Sequence, residues 1–409
     1  MSPSRRIVAV SYFFPPFPTV GGHRWSAIAS YLREMGHDVT VITSRKMGDD
    51  GQPNVVRTGD LATSAPMRAL LGRPALTVPG APEPPAPAAL TRIVVPDSHL
   101  VSWVPWAMAA LRRIGKVDCV VTSSPVESTH LLPLALGPRR PAWIADFRDG
   151  WRFEPLNADW PTALQRRLDA RLEARVARTA EVTTGATPPI VDDLRNRLGA
   201  RAYWVPNAFD PALAAMLPEP PRLPRPAVVH TGQLSGPRGR DPRPLLAALR
   251  RTDVHLVLAG SLVTGDMQLL EEAGIADKVT HLGLLDRREV LALQRAADAL
   301  LLMTGTDGHS SEATGKIFEY LASDRPIVAL AQDNEAARIV RATGTGLVVA
   351  GDDVDAIAGA LRRVADGTID ASYAPRGLGD FTYPGPAERL AELVEQAIAR
   401  HAGGRTAPR

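Results

Sequence analysis

The chain of 409 residues is 45% hydrophobic with a formal charge of only +3 and a mean hydropathy of -0.07, which fits a soluble protein long enough for two ordinary domains. Acidic and basic residues are interleaved without a basic stripe or an aromatic RNA-binding motif, so the composition argues against a nucleic-acid partner. The single cysteine, Cys119, lies inside the apolar run Val117 to Val121 and excludes a disulfide framework, as suits a reducing cytoplasm. Pro15, Pro16 and Pro18 break the N-terminal apolar run, and no apolar stretch is long enough to span a bilayer. Neither a signal peptide nor a membrane span is expected.

Taken in order, Arg6 to Phe14 has the pattern of a buried strand, ended by Pro15-Pro16. Gly21-Gly22 then opens an amphipathic helix with Trp25, Ile28, Ala29 and Leu32 on one face, which stops at Gly36 before a strand over Asp38 to Thr43. This is a Rossmann-like opening, although no G-x-G-x-x-G motif points to a nicotinamide dinucleotide. The glycines have two readings: they make a tight turn, or they let a phosphate or sugar approach the backbone closely. Arg73 to Leu90, rich in Pro and Ala, reads as a surface excursion.

Next come a helix over Trp103 to Ile114, a strand over Asp118 to Ser124, a helix over Glu127 to Leu136 and a strand over Ala142 to Phe147. That strand runs into Asp146-Phe147-Arg148-Asp149-Gly150-Trp151, with three charges at the carboxyl end where parallel sheets collect ligands. The alternative is an internal ion pair of Arg148 with Asp146 or Asp149. Helix Thr162 to Ala180, strand Glu181 to Thr184, helix Pro189 to Leu198 and strand Tyr203 to Pro206 complete the half. The turn Asn207 to Pro211 and the Pro-rich run Pro218 to Pro226 mark a domain boundary.

The second half repeats this grammar. Strands are expected at Ala227 to Thr231, Val254 to Ala259, Val279 to Leu282, Ala299 to Met303, Pro326 to Val328 and Leu347 to Ala350. Helices alternate with them at Pro244 to Arg250, Met267 to Ala273, Arg288 to Ala297, from Thr314-Gly315-Lys316, at Glu335 to Thr343 and at Val354 to Ala365. Such alternation means a second doubly wound parallel sheet. The terminal helix, Pro386 to Ala402, caps a core or crosses between domains.

Two loops carry the chemistry. Gly232 to Arg240 places glycines and cations after the first strand of this half, and Thr304 to Lys316 leads into a helix whose exposed N–H groups suit an anion. Lys316 adds a charge at that mouth; Arg238 would meet it across a diphosphate or, as is commoner for such an arginine alone, face solvent. Glu319, one turn on, suits two ribose hydroxyls; the bland reading is a solvated Lys316–Glu319 pair. Only Lys46, Lys116, Lys278 and Lys316 are lysines, so a lysine here reflects either a need for a compact charge or chance.

Together, the Gly-Gly start, the VPNAFDP linker, SSPVESTHLLPLAL with PAWIADFRDGW, GQLSGPRG and TGKIFEYLASDRPIVAL resemble the retaining GT-B glycosyltransferases of family 4 (glycosyl transferases group 1), over nearly the whole chain. The likeness is to bacterial branches that build exopolysaccharides or glycosylate small molecules. The resemblance implies an α/β GT-B fold, two Rossmann-like doubly wound domains facing a central cleft. The expected division is 1–206 on the acceptor side, 207–385 on the donor side, and 386–409 as a helix crossing back, with a tail.

It further implies metal-independent, retaining transfer of a hexose-like sugar from a UDP- or GDP-linked donor to a glycan, lipid-linked or small-molecule acceptor, in the cytoplasm and with no cofactor. A peripheral membrane contact would fit a lipid-linked acceptor. Carried over by residue, Gly232, Arg238, Thr314, Gly315, Lys316, Ile317 and Glu319 bind the donor nucleotide and diphosphate. Gly21, Gly22, Arg24 and Asp146 lie on the acceptor and phosphate side, and Asp149, Arg148 and Glu312 are the catalytic candidates. No metal ligands are implied.

The chain departs from the family at three points. Ser311 stands where members carry a glutamate eight positions before the ribose glutamate, leaving Glu312 nearest. Gly232-Gln233 replaces Gly-Arg, and Arg148 replaces a histidine, so no single base is assigned. A sugar-nucleotide 2-epimerase and a non-catalytic sugar-nucleotide-binding subunit are the alternatives, since one fold hosts many functions.

Overall fold

The computed structural model describes residues 3–17, 20–61, 93–155, 159–215, 217–235, 240–262 and 264–406. The chain divides into two compact units: unit 1 is Met1–Pro206 with Pro384–Arg409, and unit 2 is Asn207–Tyr383. Arg73 to Leu90 lies outside the described residues.

Unit 1 is a seven-stranded, all-parallel sheet in the order β3-β2-β1-β4-β5-β6-β7. Its strands are β1 (Arg6–Ser11), β2 (Asp38–Ser44), β3 (Val55–Thr58), β4 (Cys119–Ser124), β5 (Ala142–Phe147), β6 (Val182–Gly185) and β7 (Ala202–Trp204). Its helices are α1 (Val20–Glu34), α2 (His99–Ser102), α3 (Val104–Ile114), α4 (Leu131–Leu136), α5 (Ala163–Thr179) and α6 (Pro188–Asn196). The apolar runs read as strands are buried on both faces, as parallel strands covered by helices must be. Gly21 and Gly22 fall inside the first turn of α1 rather than ahead of it. Edge strand β3, only half-buried, has no counterpart among the expected strands. Thr162 caps α5 instead of lying within it, because its hydroxyl accepts from the Gln165 amide while Gln165 reaches back in a capping box.

Unit 2 has six parallel strands in the order β10-β9-β8-β11-β12-β13. These are β8 (Ala227–Thr231), β9 (His255–Ala259), β10 (Val279–His281), β11 (Ala299–Met303), β12 (Ile327–Leu330) and β13 (Gly346–Val349). The helices are α7 (Arg243–Leu249), α8 (Thr264–Glu272), α9 (Arg287–Ala296), α10 (Lys316–Leu321), α11 (Glu335–Thr343) and α12 (Val354–Ala365). Relabelled from its first strand, the order is 3-2-1-4-5-6, the doubly wound Rossmann arrangement. The order reverses at β1/β4 in one unit and β8/β11 in the other, where such sheets take ligands at their carboxyl ends.

The terminal helix α13 (Gly385–Thr406) belongs to unit 1 and packs on α1, β4, β5 and β6. It is tied there by the two-pronged Arg5–Glu395 pair, by Arg400 donating to the Tyr203 hydroxyl at 2.9 Å, and by His401 beside Glu181 at 3.0 Å. Among the described residues, no helix is long and apolar enough to cross a membrane.

His130 illustrates what this packing costs. Fully buried, it stacks on Phe147 at 4.8 Å, its Nδ1 lies 2.7 Å from the Thr122 hydroxyl, and its Nε2 has no partner. Burial pushes its pKa down to about 3. The unfolded chain therefore binds the extra proton between about pH 6.5 and 3, so the stability His130 provides is full above pH 6.5 and is lost as pH falls. Denaturant melts at pH 7 and pH 5 should differ by about 2 kcal/mol more in the wild type than in His130→Phe; equal pH sensitivity would contradict a neutral buried imidazole.

Candidate functional site

In unit 2 the loops after β8 and β11 meet at the point of strand reversal. Leaving β8, the chain turns at Gly232, whose φ of 98° is left-handed and whose amide donates to Ala259 O. A Cβ added there would lie 2.6 Å from Lys316 Cε and 3.0 Å from Nζ, so the ammonium rests directly on the Gly232 backbone. Tyr320, one turn along α10 and fully buried, locks that position. Its hydroxyl accepts from the Thr231 amide at 3.1 Å and donates to Leu301 O at 3.4 Å, joining the helix to both central strands. The sequence reading passed over Tyr320; its place four residues after Lys316 was the available signal.

Lys316 is only half-exposed, and burial pushes its pKa down to about 8, helped by the positive Arg240 and opposed by Glu312 and Glu319. Its ammonium makes no hydrogen bond or ion pair with a described residue. Around it, the amides of Gly315 and Lys316 donate to no described residue, and the buried Thr314 hydroxyl is likewise unpartnered. A group of donors without acceptors at the end of a parallel sheet is a place for an anion.

The remaining donor-side expectations divide. Arg238 lies outside the described residues; Arg240, two positions on, is the cation that acts on Lys316, and it donates to Gln233 O at 3.1 Å. Glu319 does not pair with Lys316 but with Arg287 of α9, at 3.1 Å. The side chain of Ile317 is fully buried in the core and its amide is bonded to Thr314 O. Glu312 is buried and accepts from the Gly305 amide at 3.0 Å, which braces the loop after β11.

Unit 1 spends its charges differently. Asp146 is 1% exposed. It accepts from Arg24 at 3.1 Å and Thr184 at 2.7 Å on one oxygen, and from Trp25 at 3.2 Å and Ser123 at 2.8 Å on the other. Burial alone would raise its pKa, but Arg24 and the two hydroxyls hold it below the usual carboxylate range. Arg24, also buried, donates to Val205 O and Pro206 O. Arg24 and Asp146 thus clamp α1 to β5 and to the end of unit 1, while the buried Arg24 Nε makes no hydrogen bond.

Arg148 forms no ion pair with Asp146 or Asp149; its Nε donates to Ser124 O at 2.6 Å. Beside it lies a carboxyl that sequence reasoning missed. Glu127 follows Val126, a β-branched residue held at a φ of 114°, and burial followed by the charges of Asp97 and Asp149 raises its pKa to about 8. Backbone strain and a carboxyl protonated near neutrality, next to Asp149 and just past the end of β4, are the marks of a working site. In the sequence Glu127 reads merely as an acidic first turn.

Residues 21–208 match the glycosyl transferase 4-like domain, and residues 227–366 match glycosyl transferases group 1. No protein of curated function matches the sequence. Among solved structures, the chain is similar to sucrose-phosphate synthase from Thermosynechococcus elongatus, at 17% identity, TM-score 0.66, and 97% and 100% of the two chains. AviGT4, a glycosyltransferase involved in avilamycin A biosynthesis, is similar at 17% identity and TM-score 0.54, over 97% and 98%. A protein from Listeria monocytogenes described as a UDP-N-acetylglucosamine 2-epimerase is similar at 12% identity and TM-score 0.55, over 98% and 98%. The fold is GT-B. With a glycosyltransferase domain in each unit, the chain belongs to the GT-B glycosyltransferases.

Removing the carboxylate charge in Asp146→Asn leaves the Arg24 guanidinium buried and uncompensated. The unfolding free energy from urea melts should fall by about 3–5 kcal/mol, whereas a change below about 1 kcal/mol would show that the clamp is not structural.

Proposed function

We propose that the protein transfers a sugar from a nucleoside-diphosphate sugar, bound by unit 2, to an acceptor hydroxyl, with retention at the anomeric carbon. The observation that carries this reading is the set of unpartnered donors around Gly232: the Lys316 ammonium, the Gly315 and Lys316 amides and the Thr314 hydroxyl. In glycosyl transfer the sugar–phosphate bond loosens and the leaving diphosphate gains negative charge. Donors already in place, and not bonded to any described residue, meet that charge without reorganising, which lowers the barrier rather than only tightening binding.

Glu319, turned toward Arg287, is available to the ribose with its orientation held by the guanidinium. In unit 1, burial, followed by the charges of Asp97 and Asp149, raises the Glu127 pKa to about 8, which suits a proton donor near neutral pH. The acceptor hydroxyl is assigned to this end of unit 1, near the first turn of α1 and Arg148. Glycan, lipid-linked and small-molecule acceptors all fit this chemistry.

Two measurements separate these roles. Lys316→Ala should weaken UDP or GDP binding at least about tenfold while leaving uridine or guanosine within about twofold; equal losses by calorimetry would remove the diphosphate role. Gly232→Ala should reproduce much of the defect, because a methyl at 2.6 Å from Lys316 Cε displaces the ammonium.

Asp149→Asn should lower turnover by about two orders of magnitude with nucleotide affinity nearly unchanged. Full activity in that variant would remove Asp149 from the chemistry. Incubation with donor alone tests the reaction class: a 2-epimerase converts it without acceptor, and a transferase does not.

A further inference from the structure

A cavity of about 560 Å3 opens at one edge of unit 1, between edge strand β3 and helix α3. It is lined on the strand side by Arg57 and Gly59, on the helix side by Trp106, Arg113 and Ile114, and by Arg45 just past the end of β2. Its volume is that of a small-molecule site. None of these residues takes part in the reading given above.

The charges in this cavity are unevenly satisfied. Arg57 is anchored, with Nε on Asp49 at 3.0 Å and Nη2 on Asp50 at 2.5 Å and on Pro15 O at 2.7 Å. Its side chain is only 5% exposed, yet its Nη1 is buried without any partner. The side chains of Arg45 and Arg113 make no hydrogen bond or ion pair with any described residue. Exposed arginines on a protein surface are ordinary when single, but here two of them share one concavity with a buried guanidinium nitrogen whose N–H groups are unmet.

The apolar side of the cavity is equally specific. Trp106 is 37% exposed, a large aromatic surface left in contact with solvent. Its ring lies against the backbone at Gly59, where a Cβ would come within 2.8 Å of Cδ1 and 2.9 Å of Nε1. Glycine at position 59 therefore sets where the indole stands. Guanidinium groups prefer phosphate and carboxylate oxygens, which they hold with paired N–H donors, and an indole face prefers a flat or aliphatic body.

We propose that this cavity binds an amphipathic anion, with a phosphate or carboxylate head between Arg45 and Arg113 and an apolar body against Trp106 and Ile114. The site is independent of the donor site in unit 2 and holds whether or not that reading does.

The test uses the full-length chain carrying Lys316→Ala, so that phosphate binding in unit 2 does not report. By calorimetry, phenyl phosphate should bind at least about tenfold more tightly than inorganic phosphate or phenol. Arg45→Gln with Arg113→Gln should remove that binding without changing Tm, since both side chains are exposed. Trp106→Ala should bring phenyl phosphate down to the affinity of inorganic phosphate.

Equal affinity for phenyl phosphate and inorganic phosphate, or unchanged binding in the double arginine variant, would overturn the proposal. Sedimentation with phosphatidic-acid vesicles distinguishes the sources of such a head group. Vesicle binding that hexyl phosphate competes away assigns it to a lipid, and binding of hexyl phosphate without vesicle binding assigns it to a soluble ester. Failure of both also overturns the proposal.

Discussion

A lysine ammonium held against the backbone of Gly232, with no carboxylate among the described residues paired to it, is the constraint on which the rest of unit 2 depends. Partial burial of an uncompensated charge is unfavourable, as the lowered Lys316 pKa records. The fold tolerates it because α10 is held from beneath by a buried Tyr320 bonded to the Thr231 amide and Leu301 O, and because Gly232 has no side chain to push the ammonium away. The strain is thus confined to the place where an anion would relieve it.

Unit 1 solves the same packing problem in the opposite way. There too a cation, Arg24, and a strand-end acid, Asp146, are buried near the sheet's reversal point, but they satisfy each other and the neighbouring hydroxyls. Such a network rigidifies the end of the sheet, although the buried Arg24 Nε is left without a hydrogen bond. Near the same end of the sheet, burial followed by the charges of Asp97 and Asp149 raises the Glu127 pKa to about 8, and Arg148 is anchored on Ser124 O. One doubly wound architecture therefore appears twice, with opposite electrostatic bookkeeping.

The fold was legible because both halves alternate short apolar runs with amphipathic helices. The expected spans Ala142–Phe147, Ala227–Thr231, Ala299–Met303, Glu335–Thr343 and Val354–Ala365 coincide with the observed elements. Edge strand β3 was missed because four half-buried residues carry too little periodic signal. Within the site, Lys316 and Gly232 could be singled out by residue type, but not their contact, which joins positions far apart in the chain.

The ion pair of Asp146 was equally hidden: its partner Arg24 is 122 residues away, whereas the alternative read from local spacing paired it with Arg148. Glu127 owes its raised pKa to burial and to Asp97, which belongs to a distant turn, so nothing local to Glu127 announces it. Burial and long-range charge decide such roles, and a single sequence records neither directly.

Because the chain has only four lysines, Lys46, Lys116, Lys278 and Lys316, their side chains can be resolved individually by NMR after 13C labelling at Cε. A pH titration of that signal, with and without a saturating nucleoside diphosphate, measures the central claim at the atom concerned. The account predicts that Lys316 titrates near 8 in the free protein and moves upward with the diphosphate bound, because an anion at Nζ supplies the missing counter-charge. A Lys316 titration that the diphosphate leaves unchanged would contradict it.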